Sequence, residues 1–212
     1  LYPGASNVLL IMSSEVTIRK IIIDGDNSLL SSGIIINGAD IDARNGIITD
    51  TNSGPVNGLT VDSVKVKNIF QNGISNTTGG NFRFSHIDAD NVMGNSYSSA
   101  LSNTGGEGTY INNTIRNSSA AIYSRHGSHS LYYGNHISLS GTGIRNDHSG
   151  EGSSSSDSIS GNSVTNSIDN VKGIYIYSPY RPVFVTDNII TNVDTGILNA
   201  GQSDSVLITF TR

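Results

Sequence analysis

The chain contains no cysteine and no tryptophan, only four prolines, and charged residues at only 14% of 212 positions. Without cysteine, neither a disulfide frame nor a thiolate metal site is available. Twelve basic residues against seventeen acidic ones give a net charge of -5. That balance argues against nucleic acid, where a clustered basic face is expected, and against binding to an anionic membrane surface. No apolar run approaches the ~20 residues that span a bilayer. No signal-peptide pattern is visible, and the chain opens in mid-phrase, which leaves room for one upstream. Pro55, Pro179 and Pro182 all sit in turn-like contexts.

Serine, asparagine and glycine are abundant, at 33, 24 and 24 residues. Such a composition suits disorder, but regularly spaced Ile and Val anchors argue for a packed interior. A Gly-Ile phrase recurs at Gly33, Gly46, Gly73, Gly143, Gly173 and Gly196, with Ala100-Leu101 and Ala121-Ile122 filling two gaps. From Gly46 onward the intervals are 27, 27, 21, 22, 30 and 23 residues. A second phrase, Asn-x-(Ile/Val)-x-Asn, runs in step with it at 113–117, 162–166 and 188–192. Two phrases locked at one period mark a solenoid. Apolar residues alternate within each repeat, as at Val64 and Val66 or Ile174 and Ile176, which is a strand pattern. Three short strands per repeat make one coil of an all-β, single-stranded, right-handed parallel β-helix. Leucine-rich repeats share the period but need a Leu consensus absent here. About eight to nine coils of roughly 21–30 residues are expected, as a rod ~40 Å long.

Sharp turns in a narrow coil leave backbone groups that an Asn side chain can satisfy. The closing Asn of the second phrase, at Asn68, Asn91, Asn117, Asn166 and Asn192, is therefore expected to form an internal ladder, interrupted at Leu139. Segments 16–25 and 33–42 read as strand pairs of early coils, with the register of Gly33 unsettled. Residues 146–158 read as a long loop. The whole chain reads as a single domain, 1–212, with no amphipathic helix to cap either end. It is expected to be a segment of a longer chain or a unit that stacks end to end.

The strings GNSVTNSIDNVKGIYI (161–176) and DNIITNVDTGIL (187–198) resemble the parallel β-helix repeat of the pectate-lyase-like superfamily. The resemblance covers essentially the whole chain. It implies the fold but not one activity, since that superfamily includes polysaccharide lyases, polygalacturonases, epimerases, tailspikes and surface proteins. The segment 16–50 looks most like large bacterial secreted proteins of adhesin type. The catalytic marks that the resemblance would imply are incomplete. Arg125-His126-Gly127 lacks the flanks of a polygalacturonase-like site, Asp147-His148 lacks the proline of an epimerase-like one, and Arg181-Pro182 has no supporting acidic cluster.

Alternation places the residue after each anchor on the outside: Ile48, Ser75, Ser102, Tyr123, Arg145, Tyr175 and Leu198. Tyr123, Arg145 and Tyr175 then stack on consecutive coils, in an arrangement able to hold sugar rings. The following loops add Arg125, His126, His129, Asp147, His148, Glu151, Tyr177, Tyr180 and Arg181. Ligand binding is therefore expected from Tyr123, Arg125, Arg145, Tyr175 and Tyr180. The catalytic candidates are His126, Asp147, His148 and Arg181, with His126 and Asp147 as an acid/base pair. No metal site or cofactor is expected, since His126-x-x-His129 lacks a third ligand and Asp24-Gly25-Asp26-Asn27 reads as a turn. The expected role is a non-catalytic extracellular bacterial β-helix that is structural or adhesive and binds polysaccharide laterally. The alternative is a lyase, hydrolase or epimerase acting on an acidic glycan. End-to-end self-association is a further expected contact; nucleic acid and membrane insertion are not.

Overall fold

The computed structural model describes residues 6–31, 35–36, 39–40, 43–125, 129–147, 156–165, 171–177, 182–200 and 208–211. The strands stack in parallel into a thirteen-stranded sheet and an eight-stranded sheet, which wrap one interior as a right-handed parallel β-helix. The eight-stranded sheet takes one strand from each successive coil, from Thr17–Arg19 to Ile208–Thr211. The larger sheet covers two faces. In the middle coils a single twelve-residue strand, Thr114–Arg125 or His136–Asp147, runs across both. Elsewhere the same path breaks into two, as in Asp88–Val92 and Ser99–Asn103.

One inward residue per strand forms an apolar column on each face. On the first face, Leu9, Ile47, Ile74, Leu101, Ile122, Ile144, Ile174 and Ile197 lie in register. On the second, Ile23, Val66, Ala89, Ile115, Ile137, Val164 and Ile190 do the same. The eight-stranded sheet contributes Ile18, Val61, Phe84, Tyr110, Tyr132, Ile159 and Val185. Tyr110 and Tyr132 stack with centroids 5.1 Å apart and planes 8° from parallel. Each fully buried aliphatic contributes about 2 kcal/mol by transfer from water.

The glycine of the Gly-Ile phrase has a steric cause. A Cβ on Gly46, Gly73, Gly143 or Gly173 would meet the carbonyl oxygen of the next coil at 2.4 to 2.6 Å. The corners are equally regular. Ser63 and Asn68, His86 and Asn91, Asn112 and Asn117, and Asp187 and Asn192 all have positive φ and lie five residues apart. Each pair marks the two ends of the second face, where the backbone turns left-handed.

Two expectations are corrected. Asn68, Asn91 and Asn117 occupy left-handed turns but are only half-buried, and Asn192 is exposed. Asn91 does donate to Asn68 Oδ1 at 2.9 Å, but Asn117 turns to Asp90. Asn166 lies outside the described residues. The internal ladder is built from the opening Asn of each phrase instead. Asn113, Asn135 and Asn162 are at most 1% exposed and, with Asn188, bond from coil to coil at 2.8 to 2.9 Å. The opening residue follows the corner with its side chain turned inward, whereas the closing one sits in the corner with its amide at the surface. The second correction concerns 33–42. Ile35–Ile36 and Ala39–Asp40 form a separate antiparallel pair off the coil stack. The anchor of that coil is Leu9, and Gly33-Ile34 lies outside the described residues.

Candidate functional site

Tyr123, Arg145 and Tyr175 lie directly above one another on consecutive coils, flanked in register by Ser102 and Leu198. Two residues further along the same strands, Arg125, Asp147 and Tyr177 form a second outward column. The period of two that drives Ile122 and Ile144 inward drives both columns outward. Ser75 and Ser102, lower in the first column, bond hydroxyl to hydroxyl at 2.8 Å and are buried rather than exposed.

Arg145 organises this face. Its guanidinium carbon lies 4.9 Å from the Tyr123 ring centroid, 5.3 Å from Tyr175 and 5.9 Å from Tyr177. Arg145 donates to Asp147 Oδ2 at 3.0 Å, and Asp147 is 5% exposed. The Nε of Arg145 is buried with no hydrogen-bond partner among the described residues, and ring contacts surround the group. Partial burial pushes the Tyr123 phenol above the ordinary tyrosine range, and Arg145 opposes that shift. Between the two outward residues, Asn146 points into the coil. It accepts from the Tyr132 hydroxyl at 3.2 Å and donates to the buried Asp157 at 3.0 Å. Asp157 in turn accepts the Ser130 N–H at 2.8 Å. This interior network fixes the strand end that presents Arg145 and Asp147.

Beside the columns lies a cleft of about 490 Å³. One wall is Tyr123, Arg125, Arg145, Asp147 and Tyr177; the other is the Ser96–Ser99 turn with Ser119 and Thr142. Tyr97 stands on that turn, 82% exposed. Sequence reasoning missed this wall because Tyr97 belongs to no repeat. The turn signal that could have found it is the string Asn95-Ser96-Tyr97-Ser98 before the Ala100-Leu101 anchor.

Of the expected ligand-binding residues, Tyr123, Arg125 and Arg145 line the cleft, and Tyr175 packs behind them against Tyr177 and Lys172. Tyr180 lies outside the described residues. So do His126, His148, Glu151 and Arg181, which leaves Asp147 as the one described member of the catalytic set. His129 stands elsewhere, beside a second cleft of about 380 Å³ with Arg83, Glu107 and Leu131. Among the described residues, no three His, Asp or Glu side chains converge on a point that could hold a metal ion. No helix there is long and apolar enough to cross a membrane.

No curated protein sequence matches the chain. A family model, the right-handed β-helix region, matches residues 45–211, so the chain belongs to that family.

Proposed function

We propose that this β-helix is an extracellular structural or adhesive element of a bacterial cell that binds glycan laterally without cleaving it. The observation that carries the reading is the cleft between the Ser96–Ser99 turn and the Tyr123–Arg145 wall. It is concave, has an aromatic side chain on either wall, and carries hydroxyls and a guanidinium along its length, which is the make-up of a site for a polar ligand with apolar faces. Asp147 favours binding over catalysis. An acid/base group must exchange a proton with the ligand, whereas Asp147 is nearly buried and held by Arg145. Among the described lining residues there is no second carboxylate and no imidazole to complete a pair.

The test is binding of the full chain to an array of immobilised glycans, compared with Arg125→Ala. Arg125 is exposed, so its loss leaves the fold intact. Affinity for any bound glycan should fall at least about tenfold, the scale of one central interface contact. Undiminished binding by the variant, or no bound glycan at all, contradicts the reading. The double change Arg145→Ala, Tyr175→Ala is the companion variant, with a thermal melt to separate loss of binding from loss of fold.

A further inference from the structure

The rings of Tyr123, Tyr175 and Tyr177 all face Arg145. Their faces are therefore engaged within the protein. Tyr97 differs: among the described residues its ring meets no aromatic or cationic partner, and 82% of the residue is exposed. Its backbone, however, is fixed. The Tyr97 N–H donates to Asn95 Oδ1 at 2.8 Å, and the Asn95 N–H donates to Ser98 Oγ at 2.9 Å. Ser98 Oγ reaches Phe70 O in the preceding coil at 2.9 Å, and Ser119 Oγ of the following coil reaches Asn95 O at 2.7 Å. A bare ring on a mount tied to two neighbouring coils can take a partner with little further ordering.

The rest of the lining describes that partner. Arg145 and Asp147 cancel each other, leaving Arg125 as the other charge among the described lining residues. Most of the remaining polar groups are hydroxyls. Ser99, 1% exposed, lines the cleft with an Oγ that has no hydrogen-bond partner among the described residues. A buried orphan hydroxyl is costly until something bonds it. A glycan charged on every sugar would find few cations here and a chain of net charge -5.

We infer that the cleft takes a neutral glycan, with one sugar ring stacked on Tyr97 and a sugar hydroxyl bonded to Ser99. This rests on the lateral glycan binding proposed above. The test is affinity electrophoresis of the full chain in gels cast with neutral polysaccharides (arabinoxylan, galactomannan, hydroxyethyl cellulose) or anionic ones (polygalacturonate, alginate). At least one neutral gel should retard the chain, equally at about 0.02 M and about 0.3 M NaCl, because screening has little charge to act on. Tyr97→Ala should weaken retardation at least about tenfold with an unchanged melting temperature, and Tyr97→Phe should preserve it. Ser99→Ala should weaken it while leaving stability unchanged or higher.

Retardation only by the anionic gels, lost with salt, overturns the ligand class but leaves lateral binding standing. Neutral retardation that survives Tyr97→Ala overturns the platform. Free migration in every gel overturns the glycan reading itself.

Discussion

The side-chain amide of Asn113 donates to Asn135 Oδ1 at 2.8 Å, and the same oxygen accepts the Asn113 backbone N–H at 3.1 Å. The Asn135 amide passes the pattern on, donating to Tyr110 O at 3.0 Å and to Asn162 Oδ1 at 2.8 Å. One side chain thus satisfies groups in the coils on either side of it, at a corner that water does not reach.

Asn135→Ala should therefore cost about 3–5 kcal/mol, because each buried group left unpaired costs roughly 1–3 kcal/mol. Urea denaturation measures it, with the exposed Asn192→Ala as a comparison expected to cost about 1 kcal/mol. Equal losses at the two positions would contradict the assignment of the interior ladder.

Leu139 occupies the corner column of Asn68, Asn91, Asn117 and Asn192 at φ 49° and is 37% exposed. A branched apolar side chain is ill suited to that backbone, whereas Asn tolerates it. Leu139→Asn should raise stability by about 0.5–1 kcal/mol, read as a higher thermal midpoint. A fall of the same size would show that Leu139 contributes more through burial than it costs in strain.

The stack itself was legible because it is repetitive. The Ile column and the Tyr123–Arg145–Tyr175 register both follow from strand alternation anchored on one phrase. The sequence points to the closing Asn of each phrase because Asn113 and Asn117 are identical in type, although Asn113 follows a left-handed corner residue whereas Asn117 is itself one. Spacing carries no information about that. Tyr97 and its turn were invisible for the opposite reason: they interrupt the repeat, and their role comes from contacts with Phe70 and Ser119 in other coils. The hairpin around Ile35 misled because its alternation is real but its partner is local.

Gly143 tests the steric origin of the Gly-Ile phrase. A Cβ there would lie 2.4 Å from Gly173 O and 2.8 Å from Val164 Cγ1. Gly143→Ala should destabilise the chain by about 1–3 kcal/mol through overpacking, measured by urea denaturation. No change would mean that the neighbouring backbone gives way at this point at little cost.

Acid should loosen the first coils. Hydrogen bonds from Lys67 at 2.8 Å and from Asn68 hold the Asp24 carboxyl down at about 2. Because the folded value is depressed, the stability it contributes is present above the unfolded value of about 3.9. It is lost as pH falls from there through the folded value. The effect is small, since Asp24 is partly exposed and screened by salt. Asp24→Asn should flatten the urea midpoint against pH between about 4 and about 2; an unchanged slope would rule the pair out as its source.

The claim that matters most is that the cleft holds glycan without cutting it. The direct measurement is prolonged incubation of the full chain with a polysaccharide that retards it, followed by assay for new reducing ends and for unsaturated sugar products. The expected result is recovery of the polysaccharide at its original length with neither product. New ends or unsaturated sugars above those of a heat-denatured control would contradict it.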